Sequence, residues 1–194
     1  MSKKIMWFDV ETTGLDPKEN DIVQLAGKLF IDGEVVSTIN KRIQPVNWDN
    51  ISDEALKVTG LTIEDLKTYD EPKTLRYELL DMWRPHIQQY ERDRDRLIYF
   101  GGYNMAAFDK GFLDEYFKKM GDDKLVFRTN FRVIDVIMDV YKLNFLGVLK
   151  LKNYKLETVC RHFEIPIDAH DAMSDIDATI KLYEVLQPIL KEHL

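Results

Sequence analysis

The stretch from Lys4 to Glu11, KIMWFDVE, constrains the fold more than any other part of the chain. Ile5 to Phe8 are four consecutive apolar residues, the pattern of a strand buried on both faces. The strand then ends in Asp9-Val10-Glu11. Residues two apart on a strand share a side, so both carboxylates project from one face at the end of a buried strand. Unpaired charge there is costly and like charges repel, so the fold must bring something that compensates them.

A chain of 194 residues with 45% apolar side chains can bury one substantial core, and a single domain spanning residues 1–194 is expected. Cys160 is the only cysteine, which excludes an intramolecular disulfide and fits a reducing compartment. The amino terminus has only a short apolar run interrupted by acids, and no later run approaches the length of a membrane helix. A cytoplasmic or nucleoid-associated protein, neither secreted nor membrane-bound, is expected. With 27 basic and 34 acidic residues the net charge is -7. That disfavours long, non-specific duplex binding but leaves room for recognition of a short strand end.

Three strands open the chain: KIMWFDVE, IVQLAGKLFI and EVVSTINKRIQP. Asp32-Gly33 between the last two is a hairpin signal, so these are expected as antiparallel neighbours. Short helices follow in ISDEALKVTGLTIEDLKT, with a helix start at Thr62. Residues 71–96 read as a helical region broken near Pro85, and the alternating charges of Glu91 to Arg96 as a solvated face. LIYFGGYN is a fourth strand, followed by helices at about 105 to 120, 132 to 145, 155 to 163 and 171 to 192. Strands first, then strand and helices, give an α/β domain with a mixed sheet.

Further acids keep apolar company. If residues 105 to 120 are helical, Asp109 shares a stripe with Phe112, Leu113 and Tyr116, although Asp also commonly caps a helix that starts later. In HDAMSDIDATIKLYEVL, Ala172, Ile176, Ile180 and Tyr183 mark a core stripe and Asp171 is placed as the cap. Asp175 flanks that stripe, whereas Asp177 lies about 200° away from Asp175 and faces solvent. His170 stands just outside the same helix amino terminus, whose positive dipole disfavours imidazolium and suits a neutral base near pH 7. Singly, such residues are most often caps, surface charges or structural histidines. Together, Asp9, Glu11, Asp109, His170 and Asp175 fall in three separated segments whose apolar residues draw them towards one end of the sheet. His86, His162 and His193 receive no role.

The segments FDVETTGL, YNMAAFD and HDAMSD, in this order, resemble the three motifs of the DnaQ-like (DEDDh) family of 3′-to-5′ exonucleases. The resemblance runs from about residue 4 to residue 186. His170, five positions before Asp175, indicates the histidine branch; the tyrosine branch would place its residue at 171, which is Asp. Thr59 stands where the family usually has His, and Gly102-Tyr103-Asn104 where many members have a His before the Asn. The resemblance implies a ribonuclease H-like fold with a mixed five-stranded sheet flanked by helices. It also implies two divalent cations, Mg²⁺ or Mn²⁺, on Asp9, Glu11, Asp109 and Asp175, with His170 as general base. It implies a substrate-binding set of Thr12, Thr13, Gly14, Leu15, Asn104 and Phe108: backbone donors in the Thr-Thr-Gly loop, Leu15 as a wedge against the last base, and Asn104 and Phe108 as its companions. For Leu15 and Phe108, ordinary core packing stays equally open.

The resemblance thus implies release of nucleoside 5′-monophosphates from the 3′ end of single-stranded DNA. An exoribonuclease or oligoribonuclease of the same family is the alternative within that chemistry, and a non-catalytic nucleic-acid-binding module the alternative outside it. Arg128 and Arg132 either line the strand's path or belong to a solvated loop. The last helix runs almost to Leu194, so a free-standing enzyme, or one held by a polymerase or replication partner through a surface patch, is expected.

Overall fold

The computed structural model describes residues 3–87, 97–122, 129–168 and 171–193. His170, Arg128 and the charged run from Glu91 to Arg96 lie outside the described residues. β1 (Lys4–Thr12), β2 (Ile22–Ile31) and β3 (Glu34–Arg42) form an antiparallel meander, with Asp32 and Gly33 at φ 53° and 93° in the tight turn that the sequence signalled. β4 (Ile98–Gly102) and β5 (Thr129–Asp135) add in parallel on the other side of β1, giving the order β3-β2-β1-β4-β5. The expected mixed five-stranded sheet is present, with the buried strand KIMWF at its centre.

The helices are α1 (Asp53–Thr59), α2 (Ile63–Thr68), α3 (Lys73–Trp83), α4 (Asp109–Lys119), α5 (Val136–Phe145), α6 (Leu156–His162) and α7 (Ala172–His193). Thr62 opens α2 with a reciprocal capping box to Asp65. α3 gives way at Arg84–His86 to a turn of 3-10 helix containing Pro85, which cannot continue the α-helical ladder. Among the described residues, no helix is long and apolar enough to cross a membrane.

β1 divides two apolar layers. Met6, Phe8 and Val10 face one, with Leu75, Leu79 and Trp83 of α3 and Phe112, Leu113 and Phe117 of α4. Trp7 faces the other, with Val136 and Val140 of α5, Val159 of α6 and Ile176 and Leu182 of α7. Gly101 is required by that second layer: a Cβ there would stand 2.6 Å from the Trp7 ring.

Three expectations need correction. Residues 129–135 form β5, so the helix expected from 132 starts only at Val136. The apolar residues of NFRVIDVI satisfy either periodicity, and pairing of Phe100 with Val133 along β4 decides for the strand. Residues 105–108 are a turn, and the helix expected from 105 begins at Asp109. On α7 the fully buried row is Ala172, Ile176, Thr179, Leu182 and Leu186, with Ile180 and Tyr183 partly buried beside it.

Trp83 is wholly buried, its ring 5.8 Å from Phe100 and 6.1 Å from Phe117, and its indole N–H has no hydrogen-bond partner among the described residues. Trp83→Ala is expected to lose about 3–5 kcal/mol of stability in urea unfolding. Trp83→Phe, which removes the unsatisfied donor and keeps most of the ring, is expected to lose less than half as much.

Candidate active site

β1, β4 and β5 run parallel, and their carboxyl ends open onto one crevice. β1 pairs with β4 only as far as Trp7 and Gly101. Beyond that point the strands part, and the backbone N–H of Val10 donates instead to Asp109 Oδ1 at 3.1 Å. This bond brings the first residue of α4, which packs on one layer, to the edge of β1 whose acids face the other. Crevices at the carboxyl ends of parallel strands are where open α/β sheets bind ligands.

Asp9 and Glu11 lie two and four residues past Trp7 and so share its side, towards α7 and Asp175. Asp171 caps α7, accepting from the Ser174 N–H at 2.9 Å. Asp177 is exposed and ion-paired with Lys28. Asp109 is 3% exposed and is neither a surface charge nor an ordinary cap, since the cap position is Phe108.

The electrostatics express this crowding. The carboxyl of Asp9 is held well above the usual carboxylate range, first by burial and then by Asp109, Glu11 and Asp175. Glu11 is pushed up to about 7 by burial, with Asp175 and Asp171 adding. Asp109 is also raised to about 7 by burial; the Val10 N–H and its own N–H pull the other way, and Asp135 and Glu11 push it further up.

Asp135 is a member of this group that the motifs did not single out. It ends β5 and precedes α5; its Oδ2 accepts from the Ala106 N–H at 2.9 Å, while its buried Oδ1 accepts no hydrogen bond among the described residues. Its signal was present in RVID: an acid closing an apolar strand, as in WFD.

Among the described residues, no three His, Cys, Asp or Glu side chains close into a finished metal cage. The donors are nonetheless suited to hard divalent cations: oxygen ligands only, buried at Asp109 and half-buried at Asp9, Glu11 and Asp175, and crowded so that they disfavour one another's charge. Mg²⁺ in particular keeps several of its waters and is held by one or two carboxylates together with a substrate's phosphates, which asks for such an open cluster.

Beside the carboxylates lies a cavity of about 440 Å³ whose wall includes Glu11, Thr12, Gly14, Leu15, Val58 and Phe108. Leu15 is 84% exposed, so it is no core residue. Phe108 does both things: it lines the cavity and packs on Phe112 with ring centroids 4.9 Å apart. Gly14 is needed because a Cβ there would meet the Asn20 side chain at 2.4 Å, and Asn20 holds the loop by bonds to Asp16 and Asn50. Thr13, expected to offer a donor to substrate, is buried instead, because its N–H donates to Asp21 O and its hydroxyl accepts from the Asp21 N–H. Asn104 stands off the cavity wall at φ 61°, where its carbonyl accepts from Ala107 and Phe108 and turns the chain into α4. Arg132 is exposed on β5.

Comparison with known proteins adds three findings. The exonuclease family model RNase_T matches residues 6–183. The PolC-type DNA polymerase III of Halalkalibacterium halodurans is 28% identical over 180 residues, covering 92% of this chain and 11% of that protein, and that of Bacillus subtilis is 28% identical over 176 residues, again 11% of its length. The chain therefore spans about a tenth of these relatives. Among solved structures, E. coli exonuclease I in complex with a dT13 oligonucleotide superposes with a TM-score of 0.77 at 20% identity, covering 98% of this chain and 43% of that one. The fold is the ribonuclease H-like fold implied by the motifs.

The raised carboxyls make a signed prediction. Below about pH 4 they are protonated in both the folded and the unfolded chain; above it the unfolded chain ionises freely while the folded one resists until about pH 7. In chelator, the melting temperature is expected to fall as pH rises from about 4 to 7, and Asp109→Asn, which keeps an acceptor for Val10, to flatten that slope. A melting temperature that rises over this range would contradict the crowding.

Proposed function

Because the chain belongs to the RNase_T exonuclease family, we propose that it is a metal-dependent exonuclease that removes nucleoside 5′-monophosphates from the 3′ ends of single-stranded DNA. The observation that carries this reading is the meeting of Asp9 and Glu11 from β1 and Asp109 from α4 beside a cavity of nucleotide size, with Asp175 of α7 acting on both β1 acids. The same reading treats the whole chain as one exonuclease unit.

Two divalent cations, Mg²⁺ or Mn²⁺, held by Asp9, Glu11, Asp109 and Asp175, would supply the positive charge that stabilises the attacking and leaving oxygens of an in-line phosphoryl displacement. The protein's part is positioning. The Val10 bond fixes the Asp109 carboxylate against β1. His170, two residues before the start of α7, is assigned to take the proton from the attacking water. Leu15 and Phe108 bracket the terminal base, and their apolar contact accepts any base. The Thr59 hydroxyl is spent on the Ala55 carbonyl at 3.0 Å, which leaves this side of the cavity short of groups that read a base edge.

DNA is favoured over RNA because the relatives are DNA polymerases and the structural neighbour holds a DNA strand. The deciding test compares matched single-stranded DNA and RNA labelled at the 5′ end. Laddering from the 3′ end with Mg²⁺, abolished by chelator and by Asp9→Ala, is expected, with DNA degraded faster. Replacing His170 by Ala is expected to slow turnover about 10²- to 10⁴-fold with the fold intact. Tight strand binding without any turnover would instead identify a non-catalytic binding module.

A further inference from the structure

α5 is apolar on two opposite faces. Val136, Val140 and Leu143 are buried in the second layer. Met138, Tyr141 and Phe145, spaced i, i+3 and i+7, lie roughly 170° around the helix from them and are exposed, Phe145 to 90%. Leu146 and Val148 extend the patch into the turn that follows. A helix packed on one core has no structural use for a second apolar stripe, and a contiguous exposed patch of this kind marks a contact surface.

The surrounding charge selects what would bind. From Val140 to Leu156 the chain carries Lys142, Lys150, Lys152 and Lys155 and no acid, within a chain of net charge -7. Lys142 is paired with Asp139 at 3.1 Å. Lys150, Lys152 and Lys155 are exposed and, among the described residues, take part in no ion pair. Flat aromatic side chains interleaved with free cations are the makings of a single-strand path: bases stack on the rings and phosphates meet the ammonium groups.

The patch is also continuous with the site. α5 begins directly after Asp135, which acts on Asp109, and the helix reaches Phe145 about 15 Å further on. The Tyr103 hydroxyl, next to Asn104, donates to the Tyr154 carbonyl, and the Tyr154 ring meets Tyr141 edge-on with centroids 5.7 Å apart.

We propose that this surface carries the part of the single strand that lies 5′ of the cleaved end, with bases on Tyr141 and Phe145 and phosphates along Lys150, Lys152 and Lys155. It rests on the reading that a strand's 3′ end occupies the carboxylate cluster. The test measures binding by fluorescence anisotropy in chelator, over a range of salt, and turnover separately with Mg²⁺, for a dT trimer and a dT strand of about fifteen residues. Phe145→Ala is expected to weaken binding of the long strand about tenfold and to leave binding and turnover of the trimer unchanged. Replacing Lys150, Lys152 and Lys155 together by Gln is expected to lower the slope of log K against log salt by about 2. Both changes are at exposed positions, and unchanged melting would establish that the variants fold. Unaltered long-strand affinity in both variants would overturn the proposal while trimer turnover left the exonuclease reading standing. So would a change confined to self-association in sedimentation, which would make the patch a protein contact. Equal loss on trimer and long strand would also overturn it, and failure of the unaltered protein to bind or cleave either oligonucleotide would remove the exonuclease reading itself.

Discussion

The site depends on where β1 and β4 stop pairing. While the strands are paired, each backbone group has a partner in the sheet; beyond Trp7 and Gly101 the Val10 N–H needs another acceptor, and Asp109 supplies it. That bond does two things at once. It satisfies a buried donor, and it sets a third carboxylate beside Asp9 and Glu11, whose charges it then opposes. The carboxyls of Asp9, Glu11 and Asp109 are raised by burial first and by neighbouring carboxylates after it, so the protein alone does not neutralise them. Divalent cations are the compensation that suits an all-oxygen donor set, so local instability and function have one origin.

The loop after β1 is held without using the carboxylates of the cluster. Lys119 of α4 reaches the Asp21 carboxylate at 2.8 Å and the Asn20 carbonyl at 2.9 Å, tying the loop after β1 to the helix that bears Asp109. Asp21 in turn accepts from the Asn47 N–H and exchanges bonds with Thr13. The loop can therefore hold Leu15 out in solvent at the cavity rim, which a freely moving loop of the same sequence would not do.

The three opening strands, the hairpin at Asp32-Gly33 and the helix start at Thr62 were legible because each rests on local rules of spacing and turn chemistry. The acids were legible for a different reason: charge among apolar residues stands out in any reading. β5 was not, since Phe131, Val133, Ile134, Val136 and Ile137 fit a helix as well as an edge strand, and only pairing with β4 separates the two. Thr13 shows the other limit. A Thr in a loop has the same atoms whether it binds a ligand or the chain's own backbone, and here Thr13 closes on Asp21. Asp135 escaped attention because its motif, RVID, was read as part of a helix; placed at the end of a strand, it follows the same logic as Asp9.

Because β1 separates the two apolar layers, the site has a foot in each. Asp109 rides on α4 above the Phe8 layer, whereas Asp175 rides on α7 above the Trp7 layer, and neither layer alone brings all the acids together. Phe8 packs edge-on against Phe100 with centroids 5.3 Å apart, and on the opposite face Trp7 lies over Gly101, so the same two strands lock both sides of the crevice. A substitution deep in either layer that shifts α4 or α7 relative to β1 therefore acts on the carboxylate geometry, although it touches none of the acids. Well-packed interiors transmit such shifts, and a displacement near 1 Å is enough to matter for an arrangement whose work is positioning. The aromatic density on both sides of β1 thus serves the placement of charge as much as the stability of the sheet.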